Sequence, residues 1–321
     1  MNILVTGACG YKGTILVPKL LRLGYQVLAV DTQWFGNFLE KHDGLEIVKL
    51  DIINTHKINL RDIDTIIHLA SIANDPCSDL DPKLTWETSC LATMKLAEKA
   101  YASNVKQFIY ASSGSVYGIS NEENVTEDVE LNPISEYNKT KMCAERILLS
   151  YSDKMDIKII RPATVCGYSP RMRLDVAVNL LTMQALETGI IKVLGGNQIR
   201  PNIHIDDITD LYIFFLENKN ISGIYNAGFE NLSILEIAKL IQKKINSKII
   251  IEKSNDPRSY RLNSDRLLKS GFIPKKTVQD AIDEICTLYQ KKILVNDESF
   301  HNLKWMKQTL YNVKKQKLNL G

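Results

Sequence analysis

Thr6-Gly7-Ala8-Cys9-Gly10-Tyr11-Lys12-Gly13 follows the apolar run Ile3-Leu4-Val5 and leads into a helical pattern over 14–23. Three glycines in a GxxGxxG spacing between strand and helix let the backbone approach a pyrophosphate closely. The helix N-terminus adds free N–H groups and a favourable dipole. Gly7, Gly10 and Tyr11 are therefore candidate cofactor contacts, and Gly13 allows the helix to pack closely on the sheet. Ordinary turns use glycines too, so the loop needs support from the strands downstream. The second strand ends at Asp31, eighteen positions beyond Gly13. That is near the spacing of the carboxylate that holds an adenosine ribose diol. An acid there repels a 2′-phosphate, which favours NAD over NADP. After the third strand, Asp51 and Ile52 are placed to clamp the adenine.

The rest of the chain has the rhythm that such a loop requires. Apolar strand-like runs at 3–6, 26–30, 45–49, 65–69, 107–111 and 158–161 alternate with helical patterns, clearest over 84–103 and 136–152. Strands this apolar, separated by helices, predict an α/β fold with a doubly wound parallel sheet (Rossmann) covered on both faces. Beyond Arg161 the prolines Pro162, Pro170 and Pro201 and the pair Gly195-Gly196 punctuate shorter elements. A smaller, partly interleaved C-terminal substrate domain is expected there. The division reads as a cofactor domain over 1–165, returning to the sheet at about 203–230, and a substrate domain with a C-terminal tail over 166–321.

Composition narrows the function classes. The 321 residues are 45% hydrophobic, enough for a continuous core, and carry a formal charge of only +3. A small net charge argues against nucleic acid as a partner. The basic residues Lys304, Lys307, Lys314, Lys315 and Lys317 read as a solvated amphipathic tail. Six scattered cysteines with no CxxC spacing suggest neither a metal site nor a disulfide framework. The apolar start runs straight into the glycine loop, and the longest apolar stretches, such as 211–216, are too short to span a bilayer. A soluble, cytoplasmic protein with no membrane partner is expected.

Tyr137-Asn138-Lys139-Thr140-Lys141 opens a helical pattern, so Tyr137 and Lys141 share one helix face. A phenol titrates near ~10 in water. A neighbouring ammonium and a positive nicotinamide favour the phenolate, and about 4 kcal/mol of differential stabilisation would bring it near neutrality. The strand before it ends in Ser112-Ser113-Gly114-Ser115-Val116-Tyr117-Gly118, at the carboxyl edge where ligands bind in open α/β sheets. A serine there can hydrogen-bond a sugar hydroxyl beside the tyrosine.

With these motifs in order, the chain resembles the extended short-chain dehydrogenase/reductase family, the nucleotide-sugar epimerases and dehydratases, over nearly its whole length. The resemblance rests on TGACGYKG at 6–13, Asp31, Asp51-Ile52, HLAS at 68–71, SSGSVYG at 112–118, YNKTK at 137–141, RPATVCG at 161–167, RPNIHIDD at 200–207 and the Arg258 segment. It implies a cofactor wall that includes Leu69, Ala70 and Ser71. It implies Ser113 as the residue that hydrogen-bonds the reacting hydroxyl and Tyr137 as the base. Lys141 would bind the nicotinamide ribose and lower the tyrosine pKa. Asn179, Arg200 and Arg258 match positions that contact the nucleotide diphosphate of the substrate, a task suited to guanidinium groups. Ser115, Thr164, Asn74, Asp75, Arg171 and Arg173 are further candidate substrate contacts, whereas His68 and His204 read as structural.

Departures from the family pattern narrow the reaction. The 4,6-dehydratases carry two acids after the serine, where this chain has Gly114 and Ser115, neither a general acid at neutral pH. Dehydration is therefore not expected. Ser89-Cys90 replaces a common Asn-Val, and Thr164 stands where galactose epimerases carry Asn, so galactose-epimerase specificity does not transfer directly. The stretch 163–175 resembles a subgroup of bacterial surface-polysaccharide pathways and a heptose 4-dehydrogenase of capsule synthesis. The resulting expectation is NAD-dependent oxidoreduction at C4 of a nucleotide-linked sugar, by a 4-epimerase. A 4-dehydrogenase or reductase, for example of a GDP-heptose, is the alternative, and a non-catalytic NAD-binding protein a remote one. The resemblance also implies a homodimer packed through the helices over 84–103 and 136–152.

Overall fold

A computed structural model describes residues 1–119, 122–253 and 259–318, with backbone alone for 311–318. Twelve strands run β1 (Asn2–Thr6), β2 (Gln26–Asp31), β3 (Leu45–Lys49), β4 (Thr65–His68), β5 (Gln107–Ala111), β6 (Asp156–Pro162), β7 (Thr164–Cys166), β8 (Ile190–Leu194), β9 (Ile199–His204), β10 (Gly223–Ala227), β11 (Glu230–Ser233) and β12 (Lys248–Glu252). Seven form one parallel sheet in the order β10-β6-β5-β4-β1-β2-β3. The chain winds outward in one direction through β2 and β3 and in the other through β4, β5 and β6. The direction reverses between β1 and β4, which opens a cleft at their carboxyl ends.

The strands are apolar because both sheet faces are covered. Every residue of β4 and β5 is buried. On one face Leu16, Val17 and Leu20 of the helix Gly13–Arg22 pack with Leu211 and Phe215 of the helix Ile205–Glu217. On the other, Leu96 and Ala100 of the helix Ala92–Ala102 pack with Ala144 and Leu148 of the helix Glu136–Leu149.

The helical pattern over 84–103 is not one helix. It divides into Pro82–Trp86, a π-helical turn Glu87–Leu91 and Ala92–Ala102. The wide turn brings the Ser89 hydroxyl to the loop after β4, where it accepts from the Ile72 amide at 3.2 Å and lies 3.0 Å from the Ser71 hydroxyl. Apolar periodicity cannot reveal such a turn, since the flanking faces stay in phase with a helix.

The later chain builds the sheet β11-β9-β7 and the pair β12-β8, while β10 returns to the large sheet beside β6. Helices Ala177–Thr188, Ile234–Lys244 and Val278–Gln290 pack a separate core around Val178, Ile237 and Ile282. The helix Asn302–Leu318 then runs back, setting Met306 and Leu310 against Ile72 and Cys77 of the first half. No helix among the described residues is long and apolar enough to cross a membrane. All six cysteines are unpaired, and no group of metal-ligating side chains occurs among the described residues.

Behind the cleft, the fully buried Glu145 accepts from Arg161 Nε at 3.0 Å and from Arg161 Nη2 at 2.6 Å, and also from the Ser112 hydroxyl. Arg161 Nη1 donates to Tyr117 at 2.8 Å, and Tyr117 donates to Asn226 of β10 at 2.7 Å. Breaking a buried pair by removing one charge leaves the other uncompensated. Glu145→Gln should therefore lower unfolding stability by about 3–5 kcal/mol, read as a fall in the urea midpoint with an unchanged m-value.

Candidate active site

The motif residues converge on one cavity of about 860 Å³ at the carboxyl edge of the sheet. Its floor is the glycine loop. Gly7 has φ +68°, and a Cβ there would stand 2.7 Å from the Ala70 amide nitrogen. Only glycine permits that approach of the two loops. At Gly13 a Cβ would strike the Ala8 carbonyl at 2.3 Å. The restriction expected from helix-on-sheet packing therefore arises inside the loop itself. Gly10 is less crowded, with only the Gly7 carbonyl at 3.2 Å. A loop whose glycines let the backbone come this close is the cradle that a dinucleotide pyrophosphate requires.

At the end of β2, Asp31 accepts from the amides of Gln33 at 2.6 Å and Cys9 at 3.1 Å. Burial raises its carboxyl above the ordinary value, opposed by those amides and by the charge of Arg171. Asp51 caps the following turn by accepting from the Ile53 amide at 3.0 Å. Both acids line the cavity, together with Ile52, Leu69, Ala70 and Ser71. His68 sits just beneath, 2.6 Å from the Thr6 hydroxyl and 2.9 Å from that of Thr93. Burial lowers its pKa to about 3, so it is neutral and structural.

The helix that carries Tyr137 and Lys141 starts where the Ser135 hydroxyl accepts from the Asn138 amide at 3.2 Å. Tyr137, Lys141 and Glu145 occur four residues apart, along one face. Lys141 donates to the Ala111 carbonyl at 2.7 Å and lies 4.8 Å from the Tyr110 ring centroid and 5.8 Å from that of Tyr137. Burial and the charge of Lys12 push its ammonium well below the usual value. Burial also raises the Tyr137 phenol; a hydrogen bond with Ser113 and the charge of Arg173 lower it, while Asp75 raises it. The lowering expected from Lys141 is not what acts on the phenol in the protein itself: Ser113 and Arg173 lower it, and the cost of desolvating a phenolate dominates.

Ser113 closes the group. Its hydroxyl is 2.7 Å from that of Ser115, which donates to Asn138 Oδ1 at 2.6 Å. With the Ser115 proton committed to Asn138, Ser115 accepts from Ser113. Asn138 therefore orients the serines, a role that the residue order alone does not disclose.

The candidate substrate contacts divide. Ser113, Ser115, Thr164, Asn74, Asp75, Arg171, Arg173 and Arg200 all line the cavity. Arg173 is paired with Asp175 at 2.9 Å, and Asn74 donates to the same carboxylate at 3.1 Å. Asn179 does not reach the cavity. Fully buried, it accepts from the Gly167 amide at 3.0 Å and donates to the Tyr11 hydroxyl at 3.0 Å and the Arg173 carbonyl at 2.9 Å. The expected substrate contact is thus a tie behind the wall. Tyr11 stays on the wall, but its hydroxyl turns away to donate to the Gly167 carbonyl at 2.6 Å. Arg258 lies outside the described residues. His204 caps its helix by accepting from the Asp206 amide at 3.1 Å.

Wall residues without a signal in the sequence come from far along the chain. Asn302, Leu303 and Met306 of the last helix reach the cleft beside Trp34 and Phe35. The buried Arg171 stacks on the Phe35 ring at 4.0 Å and donates to Asn302 Oδ1 at 2.6 Å. Lys12, inside the glycine loop, extends to within 3.4 Å of the Tyr212 hydroxyl.

A family model described as the NAD dependent epimerase/dehydratase family matches residues 3–228. The chain belongs to that family. It is 29% identical over 272 residues to a UDP-glucose 4-epimerase of Lactobacillus helveticus, covering 75% of this chain and 82% of that one. It is 26% identical over 317 residues to UDP-glucuronic acid decarboxylase 1 of Danio rerio, covering 91% of this chain and 73% of that one. Among solved structures, a UDP-glucuronic acid 4-epimerase from Bacillus cereus in complex with UDP-glucuronic acid and NAD superposes with a TM-score of 0.77. That match is 29% identical and covers 91% of this chain and all of the other. The family uses NAD, and the cradle at Gly7, Gly10 and Gly13 with Asp31 beyond it fits that cofactor. Replacing Asp31 by Asn should weaken NAD binding by roughly 10–100-fold, the worth of one charge-assisted hydrogen bond. It should also narrow the discrimination against NADP, both read from dissociation constants on folded protein.

Proposed function

We propose that this enzyme is a nucleotide-sugar 4-epimerase of surface-polysaccharide synthesis, acting through Tyr137 as the base at the C4 hydroxyl. The observation that carries the reading is the placement of Ser113, Tyr137 and Lys141 on one wall of the cavity whose floor is the glycine loop. NAD, when bound, accepts the C4 hydride and later returns it. Tyr137 takes the hydroxyl proton, so the carbinol loses one hydride and one proton and becomes a ketone. Ser113 donates to the oxygen as its proton leaves, giving up the hydrogen bond it otherwise makes to Ser115. Lys141, anchored on the Ala111 carbonyl, is held with its Nζ 5.8 Å from the centroid of the phenol ring. Return of hydride to the opposite face of a rotated ketone gives the epimer.

The charges at the cavity suit a nucleotide diphosphate, with Arg200 and Lys192 on the wall of the substrate side. Dehydration is disfavoured because Gly114 and Ser115 come directly after Ser113, and Ser115 already serves the hydroxyl chain. A homodimer fits the exposed Leu91, Met94 and Tyr101 beside the helix Ala92–Ala102. The assignment also implies a cytoplasmic enzyme, where nucleotide sugars and NAD are available.

Tyr137→Phe should reduce turnover by roughly 10²–10⁴-fold, the share of a positioned acid–base group, while NAD remains bound. Nearly full activity would overturn the role of the phenol. Incubation of wild-type protein with UDP-, GDP- and dTDP-sugars should give an isomeric sugar without net NADH. Release of a keto sugar with stoichiometric NADH would assign a 4-dehydrogenase instead.

A further inference from the structure

Lys12 is a cation inside the glycine loop with no acidic partner among the described residues. Its ammonium donates to the Tyr212 hydroxyl at 3.4 Å and lies 5.9 Å from that ring centroid. Tyr212 is fully buried, and burial holds its phenol neutral. Lys12 nevertheless belongs to the cavity wall. Burial and the charge of Arg173 lower its pKa only to about 8, so it remains mostly protonated at neutral pH.

Its position within the cleft is set by its neighbours. The charge of Lys12 acts on Lys141, and the charge of Tyr137 acts on Tyr212. Lys12, Lys141 and Tyr137 therefore share one end of the cavity, with Tyr212 buried behind it. Asp31 is at the other, where the cation acting on it is Arg171. Hydride transfer beside the Tyr137 phenol requires the nicotinamide ring at the Lys12 end. That ring is cationic when oxidised and neutral when reduced, whereas the pyrophosphate is common to both forms.

We propose that Lys12 is a redox-positioning residue: its uncompensated ammonium disfavours the cationic ring and tilts the bound cofactor towards NADH. The inference rests on Tyr137 marking the nicotinamide end. In the step concerned, two electrons and a proton leave C4 as hydride, the hydroxyl proton passes to Tyr137, and the ring charge falls from one to zero. Lys12 exchanges no proton and acts only through its field. A unit charge several ångströms away at an effective dielectric of ~20 changes such a balance by roughly tenfold or more.

The test measures dissociation constants of NAD⁺ and NADH on the full chain with no sugar present. The forms compared are wild type, Lys12→Met, Lys12→Gln and the charge-retaining Lys12→Arg. The preference for NADH, taken as Kd(NAD⁺)/Kd(NADH), should fall about tenfold in both neutral variants. It should be largely kept in the Arg variant. Equal weakening of both forms would make Lys12 a pyrophosphate contact and overturn the proposal, as would an unchanged ratio in whichever neutral variant folds. Because no turnover is measured, this result stands apart from the Tyr137→Phe assay. An active Tyr137→Phe enzyme would remove the assigned base without moving these affinities.

Discussion

The buried carboxylate of Glu145 holds the active site together from behind. It lies one turn beyond Lys141 and two beyond Tyr137, on the same helix face. Through Ser112 it fixes the end of β5, and through Arg161 it fixes β6. The strand end that carries the serines and the helix that carries the phenol are thus tied together by an interaction with no solvent to compete. A charge pair buried this deeply is costly to desolvate and is tolerated only when nearly every acceptor is used. Glu145 meets that condition with three donors.

Desolvation also governs the electrostatics in front of the clamp. Burial raises the Tyr137 phenol and lowers the ammonium groups of Lys141 and Lys12, each toward its neutral form. A phenol held this way favours its protonated form, and a cation entering the cavity would favour the phenolate. The positive groups at that end, Lys12, Lys141 and Arg173, are balanced locally only at Arg173, by Asp175. The residual charge suits a polyanionic dinucleotide and a nucleotide diphosphate sharing one cleft.

Relatives of this chain are named for epimerisation and for decarboxylation of nucleotide sugars. The fold supplies a glycine cradle and a phenol, the two parts that an oxidation at the sugar requires. The fate of the oxidised sugar depends on groups beyond that shared set, such as the acids that accompany the serine in a dehydratase. The sheet and loop therefore fit the cofactor that the family shares, and the local side chains decide the product.

Local spacing carried much of this architecture. Six of the seven strands of the large sheet, the glycine loop, Asp31 and the Tyr137–Lys141 pair were readable, because period, turn chemistry and helical spacing are short-range properties; β10 was anticipated only as a return to the sheet at about 203–230. The π-helical turn at Glu87–Leu91 was not, since the apolar pattern runs through it without a break. Asn179 illustrates the other limit: a polar residue in a site motif can face the cleft or tie the wall together, and only its burial decides. The part played by Arg171 and the last helix depends on residues 131 positions apart meeting at Phe35 and Asn302, a contact no local signal encodes. Sequence determined the cofactor loop and the catalytic pair through short-range geometry. The tertiary structure alone decided which buried charges are paired and which, like Lys12, are left to act on a ligand.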